Sequence, residues 1–230
     1  MNEFLAGSTF FGVLFTLLAY YAGVLLKKKL KHPLCNPILI AILLVIAFLI
    51  VFDVDYETYN AGAKYLSYFL TPATVCLAIP LYEQIRLLKD NWKAIIAGIL
   101  SGVLTSILVV FAFSLLFGFD HAQYVTFLPK SITTAIGMGV VEELGGYVSI
   151  AVAVIILTGV VGNVLGETVF SVFRITEPVA RGIGLGTSAH AIGTARAMEL
   201  GEVEGAMSSL SIVTAGLITV ILAPMFAGLL

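Results

Sequence analysis

Long apolar runs dominate the chain, and most of them are long enough to cross a lipid bilayer. A transmembrane helix needs ~20 mainly apolar residues. Five clear runs meet or approach this length, at about 4–26, 37–52, 94–117, 147–172 and 205–229. The second run is short, but Pro37 suits the first position of a helix. We therefore predict a membrane-crossing helix in each run.

A sixth stretch, about 64–82, is also long enough to cross a membrane, but it contains Pro72 and Pro80. Proline inside a helix removes a backbone hydrogen bond and clashes with the preceding turn. We expect a kinked or broken span here, with the two prolines as break points.

Two further segments, about 125–146 and 182–202, are rich in Gly, Ser and Thr and carry several charges. A charge at the bilayer centre costs ~2.5–3.5 kcal/mol on the insertion scale. Neither segment is therefore suited to facing lipid. We expect both to be buried in protein or to line a wet cavity.

The two polar segments resemble each other at an offset of 56 residues. Residues 134–137 (TAIG) match 190–193 (HAIG), and 143–145 (ELG) match 199–201 (ELG). The glycines that end the first pair, Gly137 and Gly193, are predicted break points. We interpret the unit, a polar segment followed by one apolar helix, as an internal repeat; the alternative is chance similarity between Gly- and Ala-rich membrane segments.

The positions of Lys and Arg favour a model in which both polar segments re-enter the membrane and the chain crosses it six times. In this model nearly all basic residues lie in the cytoplasm, as the positive-inside rule expects. The two repeat units would then have opposite orientation, as in transporters with inverted repeats. In the alternative, both segments cross fully. The predicted fold is all-α and polytopic, with about six full transmembrane helices and two broken or re-entrant segments. We expect a single membrane domain over 1–230, with 1–62 as scaffold and 63–230 as core.

Composition agrees with this assignment and excludes several other classes of protein. Hydrophobic residues make up 60% of the chain and charged residues only 11%, and the net charge is -2. A soluble domain has about a quarter charged residues. Nucleic-acid binding, an enzyme motif, a metal cluster and a cofactor site are all without support in the sequence. We predict no cofactor, no metal and no enzymatic activity.

Lys130 lies beside the hydroxyl residues Ser131, Thr133 and Thr134, just after Pro129, which can open a short helix. Free backbone N–H groups and the dipole at a helix N-terminus favour an anion such as a carboxylate. We therefore interpret this group as a carboxylate-binding site. In the alternative, Lys130 extends to the membrane interface and the hydroxyls cap or bond the backbone.

In the second polar segment, Thr187, His190 and Thr194 share one helical face, and Ser188 lies beside them. We predict that all four help to bind the solute. His190 titrates near physiological pH in the unperturbed state, which makes it a candidate proton carrier; the alternative is a packing residue with a satisfied ring.

Arg196 could bind a substrate carboxylate through two hydrogen bonds, or pair with Glu199 or Glu202. Glu142 is a second candidate for proton coupling, although its position before two glycines also suits a solvated charge at the membrane surface.

Three motifs taken together resemble the LrgB/CidB family. They are residues 71–82 (TPATVCLAIPLY), 128–135 (LPKSITTA) and 186–195 (GTSAHAIGTA), in this order across nearly the whole chain. Bacterial members of that family are described as antiholin-like modulators of murein hydrolase activity and autolysis, usually beside a small LrgA/CidA-type membrane partner. Other members are linked to pyruvate uptake, and a plant plastid relative exchanges glycolate and glycerate.

The resemblance implies a bacterial cytoplasmic membrane protein, a small LrgA/CidA-type partner and homo-oligomers. The residues favour a transporter of small monocarboxylates of the pyruvate or glycolate type, coupled to an ion or proton and working with the small partner. The alternative is a holin- or antiholin-like modulator of autolysis. A third class is a scaffold that only anchors a partner. For a scaffold, the polar faces of 128–134 and 186–196 could be made apolar at little cost to function.

Overall fold

The computed structural model describes residues 10–30, 36–69, 72, 75–76 and 78–230. Within these ranges the ordered elements are helices, and no strand is present. The chain divides into two compact units, Met1–Cys76 and Leu77–Leu230. Four helices are long and apolar enough to cross a membrane. The prediction of an all-α polytopic membrane protein is confirmed, whereas the single-domain organisation stays a prediction.

The first unit contains three described helices: α1 (Phe11–Leu30), α2 (Pro37–Val51) and α3 (Tyr56–Ser67). Asn36 starts α2, because its side chain accepts hydrogen bonds from the backbone N–H groups of Ile38 and Leu39. Thr16 on α1 and Tyr59 on α3 share a hydroxyl hydrogen bond of 2.6 Å. These contacts make the unit a small helical hairpin with a third helix packed on it.

The second unit contains the remaining helices and the candidate site. In chain order they are α4 (Ala78–Glu83), α5 (Ile85–Phe117), α6 (His121–Phe127), α7 (Thr134–Glu143), α8 (Val148–Val172), α9 (Pro178–Leu200) and α10 (Glu202–Ala227).

The predicted spans agree with the observed helices. Helices α1, α5, α8 and α10 qualify as membrane spans, and α2 is a shorter apolar helix. The stretch 64–82 lies partly outside the described residues: Pro72 is helical and exposed, and Pro80 lies inside α4. A break at these two prolines stays a prediction, as do the orientation and the choice between re-entrant and crossing segments.

Helix α5 shows how the unit is packed. Ile95, Ile99, Val103 and Ile107 recur every four residues and are at most 3% exposed, so one stripe of α5 forms the core. Its other faces carry exposed apolar side chains such as Leu108 and Phe113. Exposed apolar surface on a long helix is suited to lipid rather than to water.

The repeat is visible in the helix limits. Shifted by the offset found in the sequence, α7 would run from 190 to 199 and α8 from 204 to 228; the observed α9 ends at Leu200, and α10 spans Glu202–Ala227. The repeat therefore extends from sequence to secondary structure.

The predicted break points Gly137 and Gly193 are wrong. Gly137 lies inside the continuous helix α7, and Gly193 lies within the second half of α9. In the first copy the break comprises residues 128–133, between α6 and α7. In the second copy it is at His190, whose φ of 41° and ψ of -134° are not helical. The two breaks lie next to each other in the repeat, because the first ends at Thr133, which corresponds to Ala189, the residue before His190.

Candidate functional site

The turn between α6 and α7 positions Lys130. Helix α6 begins with a capping box in which Asp120 and Gln123 bond each other's backbone N–H groups. Beyond its end, Lys130 N–H donates to the Phe127 carbonyl at 3.1 Å, which keeps the chain in a tight turn. Lys130 is half-buried, and its Nζ donates to Ser131 Oγ at 2.9 Å.

Lys130 and Ser131 line an open cleft of about 350 Å³ between α5, the α6–α7 turn and α9. Among the described residues that line it, Lys130 is the one charged side chain, and the others are hydroxyl residues, one glycine and one valine: Ser101, Gly102, Thr105, Ser106, Val109, Ser131, Thr187 and Ser188. The cleft therefore combines a positive charge with several polar groups, which suits a small anion.

The hydrogen bonds inside the cleft identify the donors left for a ligand. Lys130 has three N–H donors, and one of them is used by Ser131. The hydroxyls of Ser101 and Ser188 donate to carbonyls of their own helices, at 2.8 and 2.6 Å. Thr105 is exposed and lines the cleft from α5. Lys130 and Thr105 are thus the groups best able to donate to a bound carboxylate.

Helix α9 reaches the cleft because glycine on α5 allows a close approach. A Cβ placed on Gly102 would lie 3.0 Å from Thr187 Oγ1. Thr187 itself is 6% exposed and donates to the Ile183 carbonyl at 2.7 Å. Thr187 and Ser188 bring the second polar segment to the same cleft as Lys130. Both polar segments therefore contribute side chains to this cleft.

His190 is not among the residues that line the cleft; it packs against α8. Its Nε2 lies 3.0 Å from the Ile155 carbonyl. Because a carbonyl oxygen only accepts, Nε2 must carry the proton in this contact. A Cβ on Gly159 would lie 2.7 Å from His190 Cε1, so the glycine provides the space for the ring. The observed contacts give His190 a packing role at the break in α9.

Two further polar contacts hold the broken part of α9. Asn163 Nδ2 on α8 donates to the Ile192 carbonyl at 2.7 Å. Thr194 Oγ1 donates to the His190 carbonyl at 3.0 Å and lies 2.7 Å from Ser208 Oγ on α10. Broken helices persist inside membranes where side chains bond the irregular backbone. Thr194, predicted as a solute ligand, is thus placed between helices and not at the cleft.

Arg196 is paired with acidic residues. Its guanidinium bonds Glu167 on α8 and Glu199 on α9, and all three side chains are partly exposed. The pairing with Glu199 is one of the two alternatives that the sequence left open. Arg196 does not line the cleft.

The other predicted residues lie near the cleft in sequence but not on its wall. Thr133 precedes α7 and accepts at its carbonyl from Gly137 N–H at 2.8 Å, and Thr134 is the first residue of that helix. Glu142 is exposed in the last turn of α7. Within the described ranges, no group of three or more His, Cys, Asp or Glu side chains could hold a metal ion.

The contribution of α5 to the cleft was not predicted from the sequence. Ser101, Thr105 and Ser106 lie in a run that was treated only as an apolar span. The signal is their spacing, since Gly98, Ser101, Gly102 and Thr105 recur at three- and four-residue intervals along one face of an otherwise apolar helix. Such a small and polar face indicates close contact with another polar segment.

Comparison with known proteins gives one consistent result. The LrgB-like family matches residues 16–229. A protein of Bacillus cereus (strain B4264) named "Antiholin-like protein LrgB" is 40% identical over 218 residues, which covers 94% of this chain and 95% of the relative. A protein of the same name from Bacillus anthracis (strain CDC 684 / NRRL 3495) matches equally well. No solved structure matches the chain.

Proposed function

Because this chain belongs to the LrgB-like family of membrane proteins, we propose that it carries small monocarboxylates of the pyruvate or glycolate type across the bacterial cytoplasmic membrane. The observation that carries the proposal is the cleft, in which Lys130 is surrounded by hydroxyls from α5, the α6–α7 turn and α9. A carrier needs such a site within its helices, together with segments that can change their arrangement.

The chemistry of the cleft favours a small monoanion. A single ammonium group balances a single carboxylate, and Lys130 retains two N–H donors beyond the bond to Ser131. Thr105 and the serine hydroxyls can serve a keto or hydroxyl group on the same solute. A dicarboxylate would leave its second charge without a cation among the described residues of the cleft.

The two broken helices support the carrier proposal further. The break in the second copy is at His190, next to the position that corresponds to the end of the break in the first copy, and residues beside both breaks contribute to the cleft. We also propose that transport is coupled to an ion or proton. His190 and Glu142 stay predictions as proton carriers, since neither lines the cleft. A small LrgA/CidA-type membrane protein is the proposed partner, and homo-oligomers are also expected.

The second candidate function is an antiholin-like modulator of murein hydrolase activity and autolysis. The names of the curated relatives favour it more directly than they favour transport. The two functions are compatible if the effect on autolysis follows from carboxylate flux. An autolysis assay in bacteria lacking their own copy separates them: the carrier proposal predicts that Lys130→Ala loses the effect, whereas a modulator acting only through its helices would retain it.

Uptake into liposomes tests the carrier proposal directly. Purified protein is reconstituted with and without the small partner, and entry of labelled pyruvate and glycolate is measured. Lys130→Ala should reduce uptake at least about tenfold, since hydrogen bonds to a charged group contribute ~1.5–3 kcal/mol.

Lys89→Ala provides the matched control, because Lys89 is an exposed lysine on α5 that does not line the cleft. Its uptake should equal that of wild type. Uptake by wild type no greater than by empty liposomes would remove the carrier proposal, and leakage of a large dye would support a pore.

A further inference from the structure

A small interior cavity adjoins the cleft. Its volume is about 10 Å³, which is room for one water molecule and too small for a carboxylate of two or three carbons. Ser106, Ser131 and Thr187 line both the cleft and this cavity. Ala215 and Thr219 of α10 line the cavity but not the cleft. The two spaces therefore share one wall, and that wall is made of hydroxyl residues.

Thr219 indicates that the cavity is more than a packing defect. Its side chain is 3% exposed and lies on the wall of the cavity. A buried hydroxyl normally has a partner, supplied by protein or by ordered water. The cavity beside Thr219 offers the space for such a water.

The wall is held by one hydrogen bond. Ser106 Oγ on α5 lies 3.1 Å from Ser131 Oγ in the turn before α7. We propose that this hydroxyl pair is a closed gate in the solute path, which continues from the cleft through the small cavity and past Thr219. The inference rests on the proposed carrier function, and it assigns to Ser106 and Thr219 a role in permeation.

The geometry also links the gate to the solute. Lys130 donates to Ser131, so the same ammonium that would bind a carboxylate helps to hold one half of the gate. A carboxylate that binds through the other two N–H donors of Lys130 draws the ammonium towards itself and weakens its bond to Ser131. A single hydrogen bond between neutral hydroxyls then keeps the wall closed, and such a bond is easily exchanged. Binding in the cleft thus favours opening towards α10.

Cross-linking tests the gate in the reconstituted protein. Cys35 and Cys76 are replaced by Ser, and Ser106→Cys is combined with Ser131→Cys. Oxidation should reduce pyruvate uptake to the level of protein-free liposomes, and reduction with dithiothreitol should restore it. Each single variant, oxidised in the same way, should keep the uptake that it had before oxidation. Full uptake by the oxidised double variant, with the disulfide verified by mass spectrometry, would overturn the proposal.

A labelling experiment tests the gate without relying on transport. Thr219→Cys is treated with a small thiol reagent, methyl methanethiosulfonate, with and without the added change Ser106→Ala. Loss of the hydroxyl pair should increase the labelling rate severalfold. Ser211→Cys is the control, because Ser211 is 0% exposed on the same helix and lines neither space.

Labelling of Thr219→Cys that is equally fast with and without Ser106→Ala would contradict the gate. This result is independent of uptake. If the protein transports no carboxylate but Ser106→Ala still increases labelling, the proposed solute is wrong and the gate is retained. If it transports carboxylate but Ser106→Ala does not change labelling, the gate is wrong and the solute is retained.

Discussion

Gly159→Ala tests the packing at the break in α9 most sharply. The new Cβ would lie 2.7 and 2.8 Å from His190 Cε1 and Nε2, and 2.9 Å from Ile192 Cδ1. All three distances are below normal contact, so the ring must move and its bond to the Ile155 carbonyl is lost. Overpacking costs ~1–3 kcal/mol and the lost hydrogen bond ~0.5–1.5 kcal/mol, while replacing a helical glycine returns about 1 kcal/mol. The net destabilisation is about 0.5–3.5 kcal/mol.

Thermal unfolding of the purified protein in detergent measures this difference, with all variants compared at one scan rate. Each kcal/mol corresponds to roughly 2–4 °C for a chain of this length. Gly139→Ala is the matched control, since Gly139 is also helical but its new Cβ would have no atom within 4 Å. It should unfold at or slightly above the temperature of wild type. If Gly159→Ala unfolds at the same temperature as Gly139→Ala, then His190 is not packed against that glycine.

Three further predictions concern stability and charge. Arg196→Ala should lower stability by less than about 1 kcal/mol and leave uptake unchanged, because its pairs with Glu167 and Glu199 are partly exposed; a tenfold loss of uptake would contradict this. Gly118→Ala should cost ~1 kcal/mol in thermal unfolding, since Gly118 ends α5 with a φ of 65°. Asp120→Ala should cost ~0.5–2 kcal/mol through loss of the α6 cap, and Asp120→Asn should recover most of it.

The sequence predicted the helical spans well because their signal is local. An apolar run of sufficient length must be helical inside a membrane, and the limits of α2 and α8 agree with the predicted runs to within one residue. The repeat was also readable, since equivalent residues recur at a constant offset. The break points were not. The break points depend on contacts with another helix, above all the contact of His190 with Ile155. The residues that neighbour His190 in the sequence give no indication of that contact.

The candidate site was partly predictable for a related reason. Lys130, Ser131, Thr187 and Ser188 are conspicuous because polar residues stand out in an apolar chain, and all four line the cleft. Thr105 was not predicted, because a threonine in a strongly apolar run is usually read as one whose hydroxyl bonds a backbone carbonyl of its own helix.

The sequence also could not separate cleft residues from packing residues within one helical face. Thr187 and Thr194 share a face of an ideal helix, but the break at His190 directs them to different surroundings. Thr187 lines the cleft, whereas Thr194 bonds Ser208 on α10. The separation follows from tertiary structure alone.

The central claim is that Lys130 binds a carboxylate in this cleft, and equilibrium binding of labelled pyruvate and glycolate to the purified protein tests it most directly. Wild type and Lys89→Ala should show equal, saturable binding that unlabelled monocarboxylate competes for and the uncharged amide of the same acid does not. Lys130→Ala should weaken the affinity about tenfold or more. Binding to Lys130→Ala with the affinity of wild type, or equal competition by the amide, would contradict the account.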